Sequence, residues 1–164
     1  MKYAADHALQ VAVEMERLGQ TFYESLSAGC GNAGIAALAA RLAKDEKQHV
    51  ATFKRMRDAL PPVHRGPKLT EEELFAAAGE LRNTIMPGAQ AVREVVLAAD
   101  LSKALDMAIK MEAGVVAYYS GLASGIAGLD AVVLTKVTDE EKGHLGMLQE
   151  QRGRLFPSTP NAHT

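Results

Sequence analysis

The chain has 164 residues, a formal net charge of −2 and a pI near 6.2, enough length for one hydrophobic core and no positive field to attract nucleic acid or an anionic membrane. Apolar residues reach 48% while aromatics reach only 5% and Trp is absent, so Ala, Leu and Val supply the bulk, which suits packed helices better than a sheet sandwich. Cys30 is the only cysteine, which excludes an intrachain disulfide and any four-cysteine metal site within the chain, and fits a reducing cytoplasm.

Residues Met1 to His7 lack an apolar segment followed by a small-residue cleavage site, so no secretory leader is expected. Asp6 is a good N-cap, and Leu9, Val13, Leu18, Phe22 and Leu26 keep near-helical spacing up to the Gly-rich run at 28–34; a first helix is predicted over about 6–28. Ile35, Leu38, Leu42, Glu46, His49, Phe53, Met56 and Leu60 repeat at three and four, predicting a second helix over about 35–60. Pro61-Pro62 stops it, because proline lacks the amide proton and clashes with the preceding turn.

Residues 61–100 form a long crossover with a helix signal of its own. Thr70-Glu71-Glu72-Glu73 is a capping box, followed by Leu74, Phe75 and Leu81 before a break at Met86-Pro87-Gly88. Asp100 or Ser102 can cap a third helix over about 101–124, carrying Leu105, Ile109, Glu112, Val116 and Tyr119. Gly125 to Gly128 turns the chain into a fourth helix over about 129–155. The stretch from Ala113 to Leu129 is uncharged, but it holds four glycines and falls short of the roughly 20 apolar residues a membrane span needs. A single all-α domain over residues 1–164 is expected: four long helices, two short turns and one crossover containing a short extra helix.

The two halves of the chain repeat. Glu16 is followed by Phe22-Tyr23 and then by Asp45-Glu46-Lys47-Gln48-His49; Glu112 is followed at the same first offsets by Tyr118-Tyr119 and then by Glu140-Glu141-Lys142-Gly143-His144. First and second glutamates are 30 positions apart in one half (16 to 46) and 29 in the other (112 to 141), a correspondence that helix periodicity alone does not require. Three positions along a helix is about 60° around and about 4.5 Å up, so each Glu-x-x-His shares a face and can hold one metal ion. Carboxylate and imidazole suit iron or manganese, and bridging carboxylates can link two ions about 3.5–4 Å apart. Glu46 and His49 also fall on the stripe with Leu42 and Phe53, where an uncompensated charge is costly.

One Glu-x-x-His alone is more often solvated than metal-bound; two with matched upstream glutamates favour the metal. Glu14, Glu24, Glu140 and Glu150 read as surface residues, and His7, His64 and His163 as solvated histidines. Tyr23, Tyr118 and Tyr119 can relay electrons or hydrogen-bond a ligand carboxylate, but a core ring with a polar tip is the commoner role. Cys30 has no neighbouring histidine or acid pair to activate it.

A glutamate from each of two helices and a Glu-x-x-His from each of the other two is the inward-facing set of ferritin-like carboxylate proteins. The chain resembles that superfamily and, within it, the rubrerythrin-like group, whose first-helix signature is similar to Glu16-Arg17-Leu18-Gly19-Gln20-Thr21-Phe22-Tyr23. It departs at Val115, where rubrerythrins usually have a further ligand glutamate, and Cys30 alone cannot make their four-cysteine rubredoxin module. The resemblance implies two iron ions, with manganese or zinc accepted by the same donors. Glu46 and Glu141 would bridge, with Glu16, His49, Glu112 and His144 terminal and Tyr23 and Tyr119 around them. It further implies a cytoplasmic homodimer that reduces hydrogen peroxide or dioxygen with electrons from a separate protein. Two alternatives are a ferroxidase or iron-handling protein, for which the tail after Phe156 looks too short to make a fifth helix, and a non-catalytic helical module with a structural divalent metal.

Overall fold

The computed structural model describes residues 4–74, 89–97, 99–123 and 129–157. Its long helices are α1 (Ala4–Gly29), α2 (Ala33–Ala59), α4 (Leu101–Ala123) and α5 (Leu129–Leu155); a shorter α3 (Ala89–Leu97) precedes α4. No strand occurs among the described residues, so the expected all-α bundle is what forms. No helix among them is long and apolar enough to cross a membrane.

α1 packs along α2 and α4 along α5, while α1–α4 and α2–α5 contacts join the two hairpins. Each hairpin buries one stripe. Leu9, Leu26, Ile35, Leu42 and Phe53 from the first meet Leu105, Met111, Leu134 and Leu148 from the second in one continuous core. Asn32 caps α2, its side-chain oxygen accepting from the Ile35 amide at 3.0 Å, and Asp100 caps α4 by accepting from the Lys103 amide at 2.9 Å. Of the two caps the sequence offers for the latter helix, Asp100 is the one used.

Asp6 is not the cap of α1, which begins at Ala4. It lies in the first turn with no exposed surface, accepting from Arg57 Nε at 2.7 Å, Gln10 Nε2 at 2.7 Å and the Gly66 amide at 3.2 Å. Gln10 in turn accepts from the Leu69 amide at 2.8 Å and donates to the Pro67 carbonyl at 3.2 Å. Two buried polar side chains of α1 thus strap down the start of the crossover, satisfying backbone groups that would otherwise face the bundle without partners.

A 3-10 turn at Pro62–His64 follows α2, and the capping box at Thr70 is closed both ways: Glu73 accepts from the Thr70 amide at 2.8 Å and Thr70 Oγ1 from the Glu73 amide at 3.2 Å. Residues 71–74 are helical; the predicted continuation through Leu81 to Met86-Pro87-Gly88 lies outside the described residues, as does the turn at Gly125–Gly128. The extra helix that is seen, α3, is not one the sequence pattern predicts. It packs Val92 and Val95 against α1 and α4.

Candidate metal centre

Glu16 on α1, Glu46 and His49 on α2, Glu112 on α4, and Glu141 and His144 on α5 all have 4% or less of their surface exposed. Helical spacing puts each on the inward stripe, and the bundle brings the stripes together. His49 and His144 stack with ring centroids 5.9 Å apart.

The oxygens are shared out in a regular way. Glu46 turns Oε2 to His49 Nδ1 (3.1 Å) and Oε1 to His144 Nδ1 (3.6 Å); Glu141 turns Oε1 to His49 Nδ1 (2.7 Å) and Oε2 to His144 Nδ1 (3.0 Å). Glu16 reaches His49 Nδ1 at 3.4 Å. Two four-residue groups result, Glu16, Glu46, His49 and Glu141 in one and Glu46, Glu112, Glu141 and His144 in the other, each offering ligand atoms within 4.8 Å of one another. Glu46 and Glu141 belong to both.

Tyrosines complete the shell reciprocally between the halves. The Tyr23 hydroxyl of α1 donates to Glu112 of α4, and the Tyr119 hydroxyl of α4 donates to Glu16 of α1. Both rings are fully buried, so they are core residues whose hydroxyls also orient carboxylates. Tyr118 is different, donating to the Ala8 carbonyl at 3.3 Å.

Glu140 is a surface residue, as expected, but with a partner that the sequence does not reveal. Its side chain is 47% exposed, yet Oε2 lies 2.9 Å from His49 Nε2, on the outer edge of the ring. Asp45 stands in the same relation to His144 Nε2, at 3.5 Å. Each acid immediately precedes the glutamate of its own Glu-x-x-His and serves the histidine of the other helix. A signal was present in the Asp45-Glu46 and Glu140-Glu141 pairs, but along one helix nothing indicates a partner across the bundle. Such contacts fix the tautomer of a ligating imidazole and raise its basicity. Glu24 and Glu150 are exposed as expected; Glu14 is half-buried. His64 is exposed, His7 is half-buried, and His163 lies outside the described residues.

The electrostatics of the cluster are those of a site short of positive charge. Among the described residues, the ion pairs of Glu16, Glu46 and Glu141 are all with histidine. Burial works against a charged His144, but hydrogen bonds to Glu141 and Glu46 override it and push the imidazole up to about 10; His49 is raised further by Glu141, Glu16 and Glu46. Burial likewise opposes ionised Glu46, yet hydrogen bonds from His144 and His49 hold it at about 2. Glu16 and Glu112 are raised well above the carboxylate range by burial and by the charges of Glu46 and Glu141. Burial, followed by the charge of the accepting glutamate, also raises Tyr23 and Tyr119, so both stay neutral donors. Protons therefore occupy the positions where cations would balance the acids. Glu141 Oε1 gives the same indication: it is buried and, though close to His49 Nδ1, has no hydrogen bond of acceptable geometry. Four carboxylates and two Nδ1 atoms, with two oxygen pairs spanning both groups, fit two divalent ions.

No family model matches the chain, and no curated protein matches it either. Among solved structures it is similar to a crystal structure from Thermotoga maritima described as a candidate ferritin-like diiron-carboxylate protein. The identity is 26%, the TM-score 0.69, and the match covers 90% of this chain and 93% of that one. With the helical order and the converging acids and histidines already established, the chain has the ferritin-like fold of diiron-carboxylate proteins and a buried glutamate–histidine cluster suited to metal.

Proposed function

We propose that the cluster holds two iron ions and that the protein is a non-haem redox protein that reduces hydrogen peroxide or dioxygen, in the manner of rubrerythrins, with electrons supplied by a separate protein. The observation that carries this reading is the division of Glu46 and Glu141, each giving one oxygen to each histidine. That is the arrangement two bridging carboxylates need. Glu16 and His49 would complete one position, Glu112 and His144 the other.

Iron bound there supplies the electrons that reduce the oxidant. The remaining work belongs to the chain. Nδ1 of each histidine faces the carboxylates, while Nε2 points outward, hydrogen-bonded to the exposed Glu140 in the case of His49 and facing the half-buried Asp45 in the case of His144. Tyr23 and Tyr119 keep Glu112 and Glu16 from rotating out of the cluster, and the surrounding core excludes bulk water. The similarity of the Thermotoga maritima protein, by its description, supports iron over manganese or zinc.

Anaerobic titration with ferrous iron tests the reading. Two ions per chain are expected. At a thousandfold excess of free ion over its dissociation constant, binding stabilises the fold by about 4 kcal/mol, a rise in melting temperature of roughly 8–16 °C for a chain of this size. An unchanged melting temperature would overturn the metal assignment. Stopped-flow mixing of the loaded protein with peroxide and with dioxygen separates the two oxidants, and slow oxidation by both would favour iron handling over reduction.

A further inference from the structure

Among the described residues, the side chains that pair or hydrogen-bond with the six central ones are each other, the buried Tyr23 and Tyr119, and two acids that reach the surface, Glu140 and Asp45. Both acids lie between α2 and α5, since Glu140 of α5 meets His49 of α2 and Asp45 of α2 meets His144 of α5. Along this seam the way from the cluster to solvent is one imidazole and one carboxylate long.

Each acid has a cation one turn earlier on its own helix: Lys136 Nζ lies 3.9 Å from Glu140, and Arg41 Nε 3.7 Å from Asp45. The internal repeat extends to them, because Arg41, Asp45 and His49 recur at one constant offset as Lys136, Glu140 and His144. In both pairs the cation stands outside the acid, with Lys136 79% exposed against 47% for Glu140, and Arg41 66% against 27% for Asp45. Beside Glu140, a shallow depression of about 590 Å³ is lined by Val132, Thr135, Lys136, Asp139 and Glu140. The charge of Asp139 is met by Lys142 at 2.8 Å. Val132 is one of two exposed large apolar side chains among the described residues. A concave seat with one apolar contact and cations outermost suits a protein surface that is acidic around a small apolar spot.

We propose that the α2–α5 seam around Lys136, Arg41 and Val132 is where the electron-donor protein docks, that the donor's docking surface is acidic, and that Glu140 and His49 give the electron its path inward. This rests on the reading of the cluster as a two-iron redox centre. Each encounter oxidises the donor by one electron and delivers that electron to one ferric ion, leaving it ferrous; two encounters restore both. Electron tunnelling falls off steeply with every gap crossed, so the 2.9 Å hydrogen bond between Glu140 and His49 is a better route than the 3.5 Å separation of Asp45 from His144.

Reduced flavodoxin, a small acidic protein that gives up single electrons, is the probe, and reduced methyl viologen, a radical cation, is the contrast. Wild type, Lys136→Glu, Arg41→Glu, Val132→Glu and, as a control on the exposed side of α4, Lys110→Glu are loaded with iron, oxidised, counted for metal and mixed anaerobically with each donor. Val132→Glu leaves both acid–histidine contacts and both cations in place. With iron content equal to wild type, the three seam variants are expected to slow reduction by flavodoxin about tenfold at low ionic strength, and by less at about 0.5 M salt. Lys110→Glu should match wild type, and methyl viologen should reduce all five at the wild-type rate or faster. In the metal-free protein, hexacyanochromate(III), a redox-inert paramagnetic trianion, should broaden the amide resonances of Arg41, Thr135 and Lys136 more than those around Lys110. Wild-type flavodoxin rates in the seam variants, an equal loss in Lys110→Glu, equal slowing with both donors, or even broadening by the trianion would each overturn the proposal. Failure of the wild type to take up iron, seen before any donor is added, instead strikes the metal assignment itself.

Discussion

His49 and His144 are equivalent by sequence and inequivalent by environment. Glu140 holds the outer nitrogen of His49 at 2.9 Å, within hydrogen-bond reach, whereas the shorter Asp45 stops 3.5 Å from that of His144. Removing a carboxylate that orients a ligating histidine commonly weakens metal binding about 10–100-fold. Glu140→Ala is therefore expected to weaken one of the two binding steps by that factor in an isothermal titration, and Asp45→Ala to weaken the other by less. Equal effects would show that the difference in distance has no consequence. Tyr23→Phe and Tyr119→Phe test the phenols similarly, each freeing one carboxylate, Glu112 or Glu16, without changing the ring that fills the core. The six central residues were legible in the sequence because both Glu-x-x-His faces and their upstream glutamates are periodic. Glu140 and Asp45 were not, because their partners sit on a different helix.

Helices here are held as much by polar straps as by their stripes. Asp6 is a buried carboxylate that binds α2 through Arg57 and the crossover through Gly66. Asp6→Ala leaves the Gly66 amide and the Gln10 amide without that acceptor, and urea denaturation should show a loss of roughly 3 kcal/mol. A change below about 1 kcal/mol would mean that water replaces the carboxylate. At the far end of α1 the contact is steric: a Cβ on Gly29 would come 2.0 Å from Val96 Cγ1, so α3 can approach only because that position is glycine. Gly29→Ala should cost about 1–3 kcal/mol, through overpacking against α3. The same α3 escaped prediction for an understandable reason. Its residues Val92, Val95 and Val96 are β-branched and weak helix formers, and tertiary packing against α1 and α4 decides their conformation.

Across the whole molecule, the buried cluster couples stability to pH. His144, raised from 6.5 to about 10, contributes stability that is fully present below about pH 6.5 and is lost as pH rises toward 10. Glu46, lowered from 4.5 to about 2, contributes stability present above about pH 4.5 and lost as pH falls toward 2. Glu16 and Glu112 are raised, so keeping them buried becomes less favourable as pH climbs above 4.5. The metal-free protein should be most stable at about pH 4.5, weaken above it as the unfolded state ionises Glu16 and Glu112, and weaken more steeply above about pH 6.5 as the contribution of His144 is lost too. Bound cations replace the protons, so metal uptake at about pH 7 should release protons and flatten the alkaline limb. Thermal denaturation from about pH 4 to 10 with and without ferrous iron, and proton release in weak buffer, check both. Coincident profiles would refute the coupling.

What the sequence determined by itself was whatever a single helix or its repeat can encode: four long helical segments with ends within a few residues of those found, the two-half symmetry, and six acid and imidazole side chains on inward stripes. Local geometry suffices for these, since a residue's place on a helix face follows from its spacing alone. Only the tertiary structure decided which oxygen of Glu46 and Glu141 faces which histidine, that each tyrosine serves the opposite half's glutamate, and that Asp6 is a strap and not a cap. Those relations join residues on different helices, as far apart in the chain as Asp6 from Arg57 and Glu16 from Tyr119, and no periodicity carries information across the turns that bring them into contact.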